Sequence, residues 1–273
     1  MISSLGLFIE QPLYFAALLF LILLLSSELG FRLGRYKRRN SDAEQTAPDA
    51  GALSGIVYAL LGLLIAFTFS SATQRFDDRR DLILKEANAI GTSYLRIDLL
   101  PAANQPELRE LYRSYTRSRI DAYQTIKIDR VEAKRLHQQG IDEQQLIWQK
   151  TLPAAVATQN TSSQTLAINA LNDMIDVANE RLAATRKHPP AIIFIMLFVL
   201  SAVASALAGY NLSSKPKLPR FQILVFAVVL AGTMFVVNDL GHARIGMFTI
   251  EASDILLIEV LQSMGSSPSS TPR

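Results

Sequence analysis

The sequence predicts an all-α membrane protein with four transmembrane helices in two hairpins and a helical extramembrane domain between spans two and three. Hydrophobic residues form 49% of the 273-residue chain and are concentrated in blocks, as in membrane proteins. The second block turns polar without a helix-breaking residue, which indicates a helix that leaves the membrane. The region between the second and third blocks has helical periodicity and no pattern typical of a strand.

The first predicted span covers residues 12–33 and is rich in Leu, Ile, Phe and Ala. The residues before it include no Lys or Arg, and its apolar run is too long for the core of a signal peptide. We therefore expect a retained transmembrane helix. The apolar block ends in the basic residues Arg32, Arg35, Lys37, Arg38 and Arg39, and a polar loop follows them.

The second predicted span covers residues 52–74 and continues as one helix until Pro101. At about 1.5 Å per residue this helix would be roughly 70 Å long. Its polar half has a heptad-like apolar seam in which Arg80 takes the one missing position. The seam consists of Phe76, Ile83, Ala87, Ile90, Tyr94 and Ile97.

The predicted extramembrane domain covers residues 75–189 and consists of helices only. After Pro101 we expect a helix from Asn104 that Gly140 ends. Two more helices are expected, one from Asp142 that bends or ends near Pro153, and one from Ser162 or Ser163 to Lys187.

The last two spans are predicted over 191–211 and 220–239. Small residues are dense in the third span, from Ser201 to Gly209, and they permit close helix approach. Residues 253–264 form an apolar or amphipathic helix too short to cross a bilayer, which lies at the interface or packs on the middle domain. The Ser- and Pro-rich tail, 265–273, is expected to be disordered.

Charge predicts the orientation of this multi-pass membrane protein, and in a bacterial host the membrane would be the inner one. The two short loops are basic and lie on one side, which the positive-inside rule assigns to the cytoplasm. The helical domain would then be periplasmic. The arginines and lysine that flank this domain oppose that orientation; they are Arg75, Arg79, Arg80, Arg186 and Lys187.

Composition argues against several function classes. The chain has no cysteine, so thiol catalysis and cysteine metal sites are excluded. Its charges are mixed in sign, which does not indicate a nucleic-acid partner. His137, His188 and His242 are scattered, and no nucleophile–base pair emerges. We expect no enzyme activity, no cofactor and no metal site. The expected partners are the lipid bilayer and further copies of the chain.

The end of the second span carries hydroxyl side chains beside two aromatic ones. In a pore-lining helix, Phe67 and Phe69 would form a hydrophobic constriction next to a wet vestibule. The alternative is ordinary interfacial polarity, with hydroxyls bonded back to the helix backbone. The hydroxyl residues are Thr68, Ser70, Ser71 and Thr73, and Gln74 follows them.

Two sets of charged residues are further candidates. Asp239, with Arg244 nearby, lies where the fourth span ends and is either functional or a cap of the helix end. Glu86 and Asn88 are expected in a structural network, with Arg96, Arg181 or Arg186 as partners. Asp98 belongs to the same expected network.

Two stretches resemble the bacterial bestrophin-like membrane family, and the resemblance covers about residues 50–264. The first is Glu86-Ala87-Asn88-Ala89-Ile90-Gly91 and its continuation to Pro101. The second is 239–246, where Ala243-Arg244 lacks the proline that normally follows the arginine. The resemblance implies a remote likeness to pentameric anion channels. Our first hypothesis is therefore an oligomeric channel; the alternative is a non-conducting sensor or scaffold whose helical domain binds partners.

Overall fold

A computed structural model describes residues 11–40, 49–126, 128–186, 189–241 and 254–265. All regular elements in these ranges are helices. The chain divides into two compact units, Met1–Arg75 with His188–Phe248, and Phe76–Lys187 with Thr249–Arg273.

The described part of the chain contains eight α-helices and two short 3₁₀ turns. The α-helices are α1 (Pro12–Asn40), α2 (Asp49–Leu95), α3 (Gln105–Thr125), α4 (Arg130–Val156), α5 (Thr161–Arg186), α6 (Ala191–Asn211), α7 (Arg220–Leu240) and α8 (Ile255–Gly265). The 3₁₀ turns are Arg96–Leu99 and Leu212–Ser214.

Four of these helices, α1, α2, α6 and α7, are long and apolar enough to cross a membrane. They contain the four predicted spans. The helix α1 continues past the predicted span end at residue 33 through the basic residues to Asn40, and α2 begins three residues before residue 52.

The first unit is built on α1, which packs against α6 and α7. Its core includes Leu19, Leu23, Leu197 and Met234, all nearly inaccessible to solvent. The small residues expected to allow close approach do so here. A methyl group built on Gly209 of α6 would overlap the carbonyl oxygen of Ser27, and one on Gly30 of α1 would overlap that of Ala206.

The second unit is a helical bundle. In it α3 packs along α4, α4 contacts α5, and α8 lies against α3. Its fully buried side chains come from every one of these helices and from the polar half of α2. The largest of them are Ile83, Ile90, Leu108, Tyr112, Tyr115, Ile147, Leu171 and Met174.

The expected helix boundary at Gly140 is wrong. The break comes earlier, where α3 ends at Thr125 and α4 begins at Arg130. Asp129 caps α4, because its side chain accepts hydrogen bonds from the backbone N–H groups of Val131 and Glu132. Gly140 then lies inside α4.

Gly140 faces α3, and the space there would accept a larger residue. A Cβ on Gly140 would lie 3.5 Å from Cδ of Arg119, in van der Waals contact. Pro153 also lies inside α4, which ends only at Val156. The expected cap residue Asn104 does precede α3, but its side chain makes no capping hydrogen bond.

The heptad-like seam of α2 is buried from Ile83 to Tyr94, and Ile97 follows in the 3₁₀ turn. Arg79, and not the expected Arg80, takes the remaining position of the seam. Arg79 is buried and donates from Nε to the carbonyl oxygen of Ala184 at 3.5 Å, whereas Arg80 is exposed.

The short helix α8 packs on the second unit, one of its two expected placements. Leu257 and Met264 are buried in the core of that unit. The carbonyl oxygen of Met264 accepts hydrogen bonds from Tyr94 Oη at 3.0 Å and from Arg113 Nη2 at 2.9 Å. These donors satisfy a carbonyl at the helix end that has no partner within the helix. The predicted tail, from residue 266 onward, lies outside the described residues.

Candidate functional site

The apolar part of α2 has one face buried in the first unit. Ser54, Leu61, Thr68 and Ala72 lie on this face, at spacings of seven, seven and four residues. Of the four candidate spans, α2 is the least covered by its own chain. In its most apolar 18-residue stretch 17% of the residues are buried, against 50% for α7. Most of the apolar surface of α2 is therefore available to contact lipid or another chain.

Phe67 and Phe69 are both exposed, at 64% and 42% of their surface. Residues two positions apart on an α-helix differ by about 200° in direction. The two rings thus point to nearly opposite sides of α2. Phe67 lies away from the buried face, together with Leu60 and Leu63, whereas Phe69 lies near the small residues Gly62 and Ala66.

The hydroxyl groups beside these rings bond largely to their own helix. Thr68 Oγ1 donates to the carbonyl oxygen of Leu64 at 2.7 Å, and Thr73 Oγ1 donates to that of Phe69 at 3.1 Å. Ser71 Oγ accepts from Arg75 Nη1 at 2.7 Å. Ser70 is exposed. Thr68 and Thr73 thus bond back to their own helix backbone, as in the alternative of ordinary interfacial polarity. Among these hydroxyl residues, the two serines are the ones that face the surroundings of α2.

A second candidate site is a buried ionic cluster in the second unit. Glu86 is fully buried and accepts from Arg119 Nε at 2.7 Å. Its other oxygen pairs with Arg181, which also donates to Asp254 Oδ1 at 3.0 Å. The two carboxylates and two guanidinium groups balance in charge, which is the condition under which ions are tolerated away from water.

Aromatic and imidazole groups complete this cluster. The Arg181 guanidinium stacks 3.7 Å from the ring centroid of Tyr123, and that of Arg119 lies 5.0 Å from it. The Tyr123 hydroxyl accepts from Arg119. Arg119 Nη1 lies 3.4 Å from Nδ1 of His137. We refer to Glu86, Arg119, Tyr123, His137, Arg181 and Asp254 as the ionic cluster.

The pKa values in the ionic cluster follow from the pairing. Burial by itself would raise the pKa of Glu86, but attraction by Arg119 and Arg181 and their hydrogen bonds outweighs burial and lowers it. Burial would lower the pKa of both arginines, and the nearby Tyr123 and Glu86 raise it instead. Glu86 is therefore ionised and both arginines are charged at neutral pH.

The other residues expected in this network lie elsewhere. Asn88 is exposed. Arg96 does not pair with Glu86; its Nη1 donates to the carbonyl oxygen of Leu166 at 2.8 Å. Asp98 pairs with Arg109, and its side chain is exposed whereas that of Arg109 is half-buried. Of the expected partners of Glu86, the structure brings together only Arg181, while the side chain of Arg186 lies outside the described residues.

Asp239 is buried near the end of α7, beside the buried Asn238. Its expected partner Arg244 lies outside the described residues. The helix continues for one residue past Asp239, to Leu240. Asp239 therefore lies within the last turn of the helix and not beyond it.

Sequence reasoning missed Arg119, Tyr123 and Asp254 as partners in the ionic cluster. Arg119 lies on the mostly apolar face of α3, with Tyr112, Tyr115 and Ala122 among its buried neighbours in the helix. A charged residue on an apolar stripe is a usable signal, since such residues are rarely buried unless paired. Nothing local indicated which carboxylate it would meet.

A family model described as the Bestrophin-like domain matches residues 19–255. The chain belongs to the bestrophin-like family. This match confirms the resemblance drawn from the residues between Glu86 and Pro101. None of the curated proteins compared matches the chain.

Solved structures of a bacterial bestrophin homologue from Klebsiella pneumoniae share this fold. One, at 14% identity, has a TM-score of 0.62 and covers 94% of this chain and 100% of its own. A substituted variant of that homologue has a TM-score of 0.65, again at 14% identity, over 93% of this chain and 99% of its own. The described residues of this bestrophin-like chain form helices only, four of them apolar enough to span a membrane, and the bestrophin fold extends along nearly the whole chain.

Proposed function

We propose that this bestrophin-like protein assembles as a homo-oligomeric ion channel in the bacterial inner membrane, with α2 around a shared axis. The observation that carries the proposal is the uncovered apolar surface of α2, the least buried of the candidate spans. Bestrophin-like family membership supports it. We propose a topology of four spans in two hairpins. By analogy with the family name, we propose that the conducted ions are anions.

The geometry of α2 sharpens which aromatic residue would restrict such a pore. Phe67 points away from the buried face of its own chain, so it is the ring that we assign to the axis. Phe69 lies about 200° away, towards the small residues of α2, and would face a neighbouring helix or lipid. The serines at positions 70 and 71 would then lie at the polar end of the same segment.

Ion flux in liposomes tests this proposal. We expect the purified chain to conduct, and Phe67→Ala to raise the flux several-fold because a hydrophobic constriction is widened. Phe69→Ala should change it less. Leu25→Ala is a matched control, since Leu25 is an exposed apolar residue of α1. A monomer that gives no flux under any gradient would remove the channel proposal.

A second candidate is a non-conducting scaffold, and one observation favours it. At the turn between α3 and α4, Ile128 is 88% exposed and Val131 is 80% exposed. Exposed apolar side chains mark a docking surface where they form a contiguous patch, and we propose that these two belong to one. A protein without flux whose binding to a cellular partner is abolished by Ile128→Ser would support the scaffold.

Orientation is a separate question with its own test. The basic short loops favour a periplasmic helical domain, and Arg79 and Arg80 favour the reverse. Gly140 is a poor fusion position, because it is buried inside α4. Alkaline phosphatase inserted after Ile128 should be active for a periplasmic domain and inactive for a cytoplasmic one.

A further inference from the structure

The first unit contains a groove between α1 and the start of α7 that the proposed function does not use. Its volume is about 370 Å³, within the range of about 300–1,000 Å³ that is common for small-molecule sites. Both walls belong to helices that are apolar enough to span a membrane. The residues that line it are Leu24, Ser27, Glu28, Leu218, Arg220, Phe221, Ile223 and Leu224.

Most of the groove wall is apolar and accessible. Phe221 is 76% exposed and Leu224 is 43% exposed. The Ser27 hydroxyl needs no hydrogen-bond acceptor from a ligand, because it already donates to the carbonyl oxygen of Leu24 at 2.8 Å. Such a surface within an apolar block accommodates a hydrocarbon chain, which fills irregular space between helices at little cost in desolvation.

The polar end of the groove has a net positive charge. Glu28 Oε1 accepts from Arg32 Nε at 2.8 Å, so this carboxylate is already neutralised. Arg220, the first residue of α7, adds a positive charge at the same end. Lys215 and Lys217 precede it in the loop.

Beyond the residues that line the groove, α1 has a further cation. Arg35 is seven residues after Glu28, so the two lie on the same face of α1. The Arg35 guanidinium lies 5.5 Å from the ring centroid of the buried Phe31, which orients it. The start of α7 adds to the positive potential, since Pro219 before it has no side chain that could cap the first backbone N–H groups.

We propose that this groove binds one anionic glycerophospholipid, of the phosphatidylglycerol type. An acyl chain lies along Leu24 and Leu224, and the phosphate is held by Arg220 with Arg35 above it. Charge complementarity selects this occupant, because a neutral lipid would leave the basic end unmatched. The lipid would add to the direct packing of α7 on α1, whether or not the protein conducts.

Native mass spectrometry of the full chain in mild detergent tests the site. We expect more bound phosphatidylglycerol than phosphatidylcholine with the same acyl chains. Removing one basic residue by Arg220→Gln or Arg35→Gln should lower phosphatidylglycerol binding about fivefold. Leu224→Trp should lower it too, because the larger side chain occupies the groove while all charges remain.

Lys37→Gln is the matched control. It removes the same charge from an exposed residue of the same helix, but it lies about 200° around α1 from Arg35. The proposal fails if the two lipids bind equally, or if Lys37→Gln lowers binding as much as Arg220→Gln. It also fails if inorganic phosphate alone displaces the lipid, or if Arg220→Gln changes the oligomer mass with lipid binding unchanged. Arg35→Gln keeps the test decisive if Arg220→Gln does not fold.

Discussion

Glu86 is the residue on which the ionic cluster depends, because it pairs with two arginines that come from different helices. Replacing it with Gln removes the charge that neutralises Arg119 while leaving the shape nearly unchanged. Breaking a buried pair in this way costs about 3–5 kcal/mol. We expect Glu86→Gln to lower the midpoint of thermal unfolding in detergent by many degrees.

Glu110→Gln is the control for this prediction. Glu110 also pairs with an arginine, Arg113, but its side chain is 73% exposed. Exposed pairs contribute at most about 1 kcal/mol, so the midpoint should hardly move. Equal effects of the two substitutions would show that the cluster does not stabilise the second unit.

The depressed pKa of Glu86 predicts how stability depends on pH. When the pKa of a carboxyl group in the folded state is below its ordinary value of 4.5, the ionised group stabilises the protein at pH values above 4.5. That contribution declines as pH falls from about that value through the folded pKa. We therefore expect the difference in unfolding midpoint between the wild type and Glu86→Gln to be constant from pH 8 to 6.

Below that range the same difference should shrink with acid, most clearly between about pH 5 and pH 3. Scanning unfolding curves at each pH measure it directly. A difference that stays constant to pH 3 would mean that Glu86 does not titrate with a depressed pKa.

The chemistry of the ionic cluster shows where reasoning from sequence ends at the residue scale. The sequence predicts a charged network at Glu86, which lies in a recognisable stretch of the long helix, and it offers Arg181 of the last helix in the domain as one partner within reach. Arg119 is 33 residues from Glu86 in the chain, and its role depends on how α3 turns relative to α2. Hydrophobic periodicity gives the buried face of each helix but not the partner of a charge on it.

Among the elements, α1 and α6 approach so closely that two glycines are required. At Gly209 a methyl group would overlap the backbone of Ser27, which cannot move without shifting α1. Gly209→Ala should therefore destabilise the first unit by about 1–3 kcal/mol, the usual cost of overpacking. Thermal unfolding in detergent, followed by far-UV circular dichroism, measures this loss of stability.

Gly232→Ala provides the comparison, since a methyl group there would meet nothing within 4 Å on α7. Alanine is also the better helix former, so this variant should be neutral or slightly more stable. If Gly209→Ala were equally harmless, α1 and α6 would not pack as closely as the structure shows.

Element boundaries were predictable where composition changes abruptly. The start of α6 follows Pro189-Pro190, and α7 begins at the basic residue that ends a proline-containing loop. The break between α3 and α4 was missed although it carries a local signal. Asp129 with Glu132 three residues later is an acidic variant of the capping-box pattern, and it marks the start of α4.

At the scale of the whole molecule, α2 presents an apolar surface that its own chain leaves open. Along one side of this surface, small residues recur at spacings of four, three and four, and a methyl group on Gly55 or Gly62 would meet nothing within 4 Å. A face of this kind allows close helix approach in a bilayer. The residues are Gly55, Ala59, Gly62 and Ala66.

If copies of the chain meet along this face, a bulky residue there should prevent assembly without unfolding the protomer. We expect wild-type protein to have a mass that is a multiple of 30.2 kDa by light scattering in detergent. Gly62→Leu should shift it towards the monomer, while Gly232→Leu, equally unobstructed but on α7, should leave it unchanged. A wild-type monomer, or an assembly that tolerates Gly62→Leu, would mean that lipid covers this side of α2 and that any pore is built differently.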